Sequence, residues 1–314
     1  MLDFIKIFAP ATVANVSCGF DSIGFAVDTI GDKMTFSKTS NKGVNIKNIT
    51  GAEGLTLDPT KNAAGVVALA MLKEYPVDFG IEITMHKGFS PGSGLGSSAA
   101  SSGGAAFGVN QLLNKPFSIL ELTKFAMLGE KIACGTPIAD NVAAVIFGGF
   151  ILIRSYEPLD VIKLPVPKDL RLVAIHPQIE IKTKDAREVL PNQIPLKKAV
   201  KQWGNVGGLI SGLYTEDYRL ISNSLIDVIV EPKRKHLIPY FDLVKKEAMN
   251  AGALGAGISG SGPTIFSLCE GDSVVENVYT AIRNIYKNKN INFKLFSSKI
   301  NTEGVKIMET KTAS

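Results

Sequence analysis

GIEITMHKGFSPGSGLGSSAASSGGAAFGVNQLL, residues 80–113, is the stretch whose reading decides how this chain is built. Its opening alternates: Ile81, Ile83 and Met85 fall on one side of an extended backbone and Glu82, Thr84 and His86 on the other, the pattern of a half-buried strand. From about 98 to 113 the spacing turns helical. Between the two lies a run rich in glycine and serine. Composition alone would also fit a structural connection, but a flexible linker needs neither a patterned strand on entry nor a helix on exit. Gly92, Gly94 and Gly96 let the backbone turn tightly and present successive N–H groups to a ligand. The helix that follows adds unpaired N–H groups and the positive end of its dipole, which together hold a phosphate. The spacing is neither the Gly-Lys-Ser/Thr ending of a Walker A loop nor G-x-G-x-x-G, so a third kind of phosphate loop is implied. Small residues from Ala99 to Ala106 let a neighbouring backbone pack closely against that helix.

Outward from this unit, alternation marks strands at 4–8 and 34–38, and helical patterns cover 61–75 and 118–134. Ser118 with Glu121 three residues on forms a capping box. The apolar run VAAVIFGGFILI, 142–153, would reach only about 18 Å as a helix against a bilayer core of about 30 Å, and it reads as one or two buried strands. The proline-bearing EPLDVIKLPVPKD then suggests a domain boundary near 160. Beyond it come strands RLVAIHP and TIFSL and helices near 197–214, 216–227 and 237–250, with about ten residues left as a C-terminal tail. Strands and helices alternate in both halves, so the expected class is α+β, with domains over 1–160 and 161–310. A chain of 314 residues has the length for two cores.

The charges spread along the chain as 34 basic and 29 acidic residues, without the basic stripe that nucleic-acid backbones require. The N-terminus carries Asp3 and Lys6 among apolar residues and has neither a basic leader region nor a small-residue cleavage site, so a cytoplasmic protein is expected. Three dispersed cysteines do not make a disulfide framework or a zinc knuckle, and Cys18 and Cys134 are expected to be small buried fillers. A Ser-His-Asp hydrolase would need His86, His176 or His236 as base and a G-x-S-x-G elbow, which is missing. A nucleotide phosphate brings Mg²⁺, which seeks hard oxygen ligands. Glu130 is a candidate, since Ala126, Met127, Ala133 and Cys134 around it on its helix cannot pair its charge. A solvated glutamate at a helix edge is the plainer reading of the same spacing.

Three separated segments share one resemblance. PGSGLGSSAAS (91–101) resembles the ATP loop of the GHMP small-molecule kinases, the family of galactokinase, homoserine kinase, mevalonate kinase and phosphomevalonate kinase. APATVANVSCGFDSIGFAVD (9–28) is similar to the family's N-terminal motif and AGISGSGPTIFSL (256–268) to its C-terminal glycine loop. Within the family, ANVSCGFD, ADNVAAVIFGGF, KTKDAREVLP and EPKRKHLIP resemble the segments of its homoserine-phosphorylating members. The resemblance implies a ribosomal-protein S5 domain 2-like N-terminal domain, a ferredoxin-like C-terminal domain, a homodimer, and transfer of phosphate from ATP to L-homoserine, a step of threonine biosynthesis.

By position, the resemblance places ATP on Pro91, Gly92, Ser93, Gly94, Leu95 and Gly96, on Ser97, Ser98, Ala99, Ala100 and Ser101, and near Asn62. It makes Ser98 and Glu130 the Mg²⁺ ligands, and it sets Asn15, Asp21, Asn141, Thr183, Arg187, Arg234 and Gly260 around homoserine and the transferred group. Each role has a physical basis. Arg187 and Arg234 can fork onto a carboxylate or phosphate, Asp21 offers a negative charge to an ammonium, and Asn141 can bond the hydroxyl. Plain alternatives stand beside them: Asn15 and Asn141 as turn residues, Asp21 as a cap, Arg234 in a solvated basic cluster, and Asp140 as structural. The family's usual histidine is Ile138 here and its usual proline is Ala144, so any contact that histidine makes to substrate is absent or replaced. Other readings are a GHMP kinase for a mevalonate- or shikimate-type alcohol, favoured less by Asp21 with two arginines, and a non-catalytic nucleotide-dependent sensor.

Overall fold

In a computed structural model, which describes residues 2–287 and 289–312, the chain forms two sheet-based units. The first is built from β1 (Leu2–Ala14), β2 (Ile23–Thr39), β3 (Gly43–Thr50), α1 (Ala63–Glu74), β4 (Gly80–His86), α2 (Ser97–Leu112), α3 (Ile119–Cys134), α4 (Asp140–Phe147), β5 (Phe150–Tyr156) and β6 (Leu159–Leu164). The second contains β7 (Leu170–Pro177), α5 (Thr183–Glu188), α6 (Leu196–Thr215), α7 (Tyr218–Ser224), α8 (Glu231–Arg234), α9 (Phe241–Asn250), β8 (Gly255–Ile258), β9 (Ile265–Glu270), α10 (Gly271–Lys287) and β10 (Phe293–Lys299). The chain then returns to the first sheet as β11 (Lys306–Thr312).

The first sheet runs β11-β1-β2-β4-β3, with β5 paired to β2 and β6 to β5; only β3 and β4 are parallel among its described pairs. The second is the antiparallel β10-β7-β9-β8. Alternation in β4 holds as read: Ile81, Ile83 and Met85 are buried beside Met34 and Phe36 of β2, while His86 is exposed. Helix α2 lies on this apolar face because its small residues permit it. A methyl at Gly108 would stand 2.4 Å from the Phe36 ring, and one at Gly104 would stand 2.5 Å from the Met34 sulfur. Apolar area removed from water drives this packing, and α1 and α3 flank α2. In the second unit, α9 and α10 cover the four-stranded sheet.

Four expectations change. VAAVIF is the helix α4, and only FILI is strand. A helix buried on every side shows no period, so a short apolar run does not distinguish it from a strand. Gly148, at φ +64°, ends it. The expected tail is strand β11, which pairs with β1 as Leu2↔Thr312 and Ile5↔Thr310; residues 313–314 lie outside the described part. The helix expected from 237 starts at Phe241, because Pro239 disfavours helical backbone in the residue before it. The β5–β6 hairpin runs past residue 160, so the first sheet ends at Leu164 before it takes back β11. Among the described residues no helix is long and apolar enough to cross a membrane.

Candidate active site

The glycine-serine loop connects β4 to α2, and three of its four glycines have left-handed backbones, with φ of +70° at Gly92, +79° at Gly94 and +72° at Gly96. Its carbonyls are tied to other parts of the chain. Thr264 Oγ1 donates to the Ser93 carbonyl at 2.6 Å, Ser259 Oγ to that of Gly94 at 2.6 Å, and the Thr12 N–H to that of Leu95 at 2.9 Å. By contrast, the N–H groups from Gly92 to Ala99 donate to no protein acceptor among the described residues, and the N-cap Gly96 offers no side chain. A row of unspent N–H groups at the start of a sixteen-residue helix is the physical requirement for binding an anion.

The bonds that fix the loop also join the three sequence motifs. Asn15, left-handed at φ +71°, donates from Nδ2 to the Gly260 carbonyl at 2.8 Å, and the Gly260 N–H donates to the Ala14 carbonyl at 3.2 Å. Gly94 lies so close to the C-terminal glycine loop that a β-carbon there would stand 2.5 Å from the Ser259 carbonyl oxygen. Gly96 is pressed in the same way against Thr12 and Asn141.

A cleft of about 200 Å³ opens above the loop. The structure brings Asn15, Asp21, Pro91–Gly94, Gly96–Ser98, Glu130, Asn141, Thr183, Arg187, Arg234 and Gly260 to its walls, together with Phe20, Ser261, Cys134, Ile138 and Asp140. A second cavity of about 350 Å³ shares Pro91, Ser97 and Ser98 and reaches Asn62, Ser101, Leu55, Met85 and Ile132. Asn62 is spent as the α1 cap: its Oδ1 accepts the Ala64 N–H at 3.0 Å and its Nδ2 donates to the Thr56 carbonyl at 2.9 Å. Leu95, Ala99 and Ala100 are buried beneath the loop and line neither cavity.

Glu130 is not a solvated helix edge. It is 5% exposed, its Oε1 has no hydrogen-bond partner, and burial pushes its carboxyl up to about 7, opposed by the Ser98 hydroxyl and the Lys87 charge. A buried, unpartnered carboxylate oxygen beside a serine hydroxyl, at the mouth of an anion site, fits a hard divalent cation whose other ligands are phosphate oxygens and water. No group of three or more His, Cys, Asp or Glu forms a closed metal site among the described residues.

On the far wall Asp21 is already paired. Arg187 Nη2 sits 3.0 Å from each of its oxygens, and the Arg187 Nε is buried without a partner. Arg234 is 3% exposed rather than part of a solvated cluster; its Nε donates to the Ala186 carbonyl at 2.7 Å and its Nη1 to that of Gly260 at 3.1 Å. Burial and the neighbouring Arg187 charge lower its guanidinium to about 10. Both guanidiniums lie over the Phe20 ring, at 5.6 and 5.1 Å.

Asp140 on this side also has no cation of its own: it is 2% exposed, and its Oδ1 accepts from the Asn141 N–H at 2.7 Å and from Asn141 Nδ2 at 3.2 Å. Burial and the nearby Asp21 charge push its carboxyl up to about 7. Asn141 is held in turn by Thr12, whose hydroxyl donates to Asn141 Oδ1 at 2.7 Å. Thr183 opens α5 at the rim, and Ile138 contributes only hydrocarbon. Ala144 is buried in α4, outside the cleft wall.

Sequence reasoning missed Phe20, which stood inside the quoted N-terminal motif, and gave Asp140 only a structural role. It also missed Lys87, the lysine that directly precedes the loop. Cys134 is not a buried filler: it is half-buried and borders the cleft, with its thiol donating to the Glu130 carbonyl at 3.1 Å. Cys18 is buried as expected, and burial pushes its thiol up to about 12.

Residues 62–149 match the family description "GHMP kinases N terminal domain" and residues 187–288 match "GHMP kinases C terminal". The chain belongs to the GHMP kinase family. Its two-unit α+β architecture is that of the GHMP kinases, as the sequence motifs implied. Among curated GHMP kinases, a homoserine kinase of Chlorobium phaeobacteroides is 44% identical, with 97% of this chain and 99% of that protein aligned. One of Methanococcus vannielii is 42% identical over 90% of this chain and 92% of that protein. A crystal structure of homoserine kinase from Cytophaga hutchinsonii superimposes with a TM-score of 0.95 at 50% identity, covering 98% of each chain. The mevalonate kinase of L. major, at 15% identity and TM-score 0.71 over 94% of this chain and 96% of that one, shares the fold.

Proposed function

We propose that this chain transfers the γ-phosphoryl group of ATP to the side-chain hydroxyl of L-homoserine, giving ADP and O-phospho-L-homoserine for threonine biosynthesis. The observation that carries the substrate is the charge layout beside the phosphate loop. Two guanidiniums face a carboxylate that has no cation of its own, which is the complement of an amino acid's carboxylate and ammonium. Mevalonate and shikimate have no ammonium to answer Asp140. The homoserine kinases among the relatives support the same assignment.

In this reading the free N–H groups of the loop and of the first turn of α2 hold the donor's phosphates, while the second cavity, beside Asn62, takes the base and ribose. Ser98 and Glu130 would hold Mg²⁺, which supplies charge neutralisation at the phosphates. Arg234 and Arg187 receive the substrate carboxylate. Asp140, rather than the already paired Asp21, receives the ammonium. Asn141, fixed by Thr12 and Asp140, orients the hydroxyl. That oxygen bonds to the γ-phosphorus as the bond to the ADP oxygen breaks, and its proton passes to the transferred group. The transition state is loose, so positioning and charge do the work and no side-chain base is required.

The first unit, near 1–160, thus carries the nucleotide machinery, and the second, near 161–310, brings Thr183, Arg187, Arg234 and Gly260. A homodimer and a cytoplasmic place belong to the same proposal, and sedimentation equilibrium tests the former. The deciding assay follows ADP release with homoserine, threonine, mevalonate and shikimate as acceptors, with the product identified by phosphorus NMR. Release with homoserine alone is expected. Preference for a hydroxyl compound without an ammonium would refute the assignment.

A further inference from the structure

Beneath the phosphate loop lies a buried ion pair. Lys87, one residue past β4, is 3% exposed and borders the second cavity, and Asp32 of β2 is fully buried. The Lys87 ammonium donates to the Asp32 carboxylate, to the Ser97 carbonyl at 2.8 Å and to Ser101 Oγ at 2.8 Å. The other Asp32 oxygen accepts the Gly88 N–H at 3.1 Å. An ammonium has three donors, and all three are spent on the protein, so none is left for a ligand.

Stability does not account for this arrangement. Two buried charges lose much hydration, and a well-packed apolar pair of similar volume is often as stabilising or more so. Geometry accounts for it better. Ser97 and Ser101 stand one turn apart at the start of α2, and that turn carries Ser98 and the free N–H groups. A helix end with no capping side chain is where helices fray. The ammonium bonds both ends of the turn and anchors them to β2 through Asp32.

We propose that Lys87 and Asp32 form a positioning clamp that holds the first turn of α2 in the shape that receives the donor's phosphates. The proposal rests on reading the loop as the ATP site.

The test is the double variant Asp32→Asn with Lys87→Met, which removes both charges, leaves neither uncompensated, and keeps an acceptor for the Gly88 N–H. Titration calorimetry with MgATP is expected to give a Kd at least about tenfold higher than in the wild type, with the KM for homoserine changed by less than about twofold. A merely structural role would lower the melting temperature without this split. A folded double variant with MgATP affinity within twofold of wild type overturns the clamp. Wild-type protein that fails to bind MgATP overturns the kinase reading and the clamp together, whereas a tight wild-type Kd beside an unchanged variant overturns the clamp alone.

Should the double variant fail to fold, native-state amide exchange on the nucleotide-free wild type decides. The Ala100 and Ser101 amides are expected to exchange as slowly as those of β4. Exchange as fast as that of a frayed first turn overturns the clamp.

Discussion

Replacing Glu130 by glutamine tests the metal assignment and the electrostatics of the site in one protein. Glutamine keeps the shape and removes the charge. Burial raises the Glu130 carboxyl from 4.5 to about 7, so the ionised side chain in the nucleotide-free protein is held against a penalty of about 3 kcal/mol. The sign follows from proton binding. Between pH 4.5 and 7 the folded state binds more protons here than the unfolded state, so this site's contribution to stability is full below pH 4.5 and is lost as the pH rises through 7.

Glu130→Gln should therefore melt about 6–10 °C above the wild type at pH 8 without nucleotide, and the advantage should vanish near pH 4.5. Turnover should fall by about two orders of magnitude or more, and the thermal shift that MgATP gives the wild type should shrink, because a metal ligand has been removed. Calorimetric melts at pH 4.5 and 8, with and without MgATP, and a coupled assay for ADP release measure all of these. A variant no more stable than wild type at pH 8 would refute the desolvated carboxylate. Near-native turnover at saturating Mg²⁺ would refute the ligand role.

Three other substitutions address the remaining parts of the cleft. Arg187→Lys replaces a planar fork that pairs with Asp21 and lies over Phe20 with a point charge; the KM for homoserine is expected to rise about tenfold or more in the coupled assay. Asp140→Asn should raise the KM for homoserine by a similar factor and leave the Kd for MgATP within about twofold, as measured by calorimetry; an unchanged KM would remove Asp140 from the ammonium site. Gly94→Ala puts a β-carbon 2.5 Å from the Ser259 carbonyl oxygen at a left-handed position, so a loss of about 2 kcal/mol or more in urea unfolding and a marked loss of MgATP affinity are expected.

What the sequence made legible was whatever is encoded locally. The period-2 pattern of 80–86, the Ser118–Glu121 capping box and the paired glycine spacing each reflect interactions within a few residues, and each appears in the structure where it was read. The three motifs were visible separately, and the bonds from Thr264 and Ser259 to the loop carbonyls explain why they occur together. Helix α4 was hidden because burial on all sides erases its period. Strand β11 was hidden because its partner β1 lies some three hundred residues earlier, and KIMETKT carries no burial signal of its own.

The charge logic of the cleft was also non-local. Asp21 looked free for an ammonium until folding set it against Arg187, 166 residues away in the chain, and Asp140 gained its importance from the pairing that Asp21 had already made. The pair of Asp32 and Lys87 spans 55 residues and shows in no motif.

The return of β11 to the edge of the first sheet makes Leu2 and Thr312 neighbours, opposite each other in the ladder. A short linker joining them would close the backbone without crossing either core. The connection between Leu164 and Leu170, which lies between the two sheets, could then serve as the site of new termini. In such a circular permutant the second unit would be made first, and every element of the first sheet, β11 included, would follow as one uninterrupted stretch. The cleft can thus be assembled from two contiguous segments.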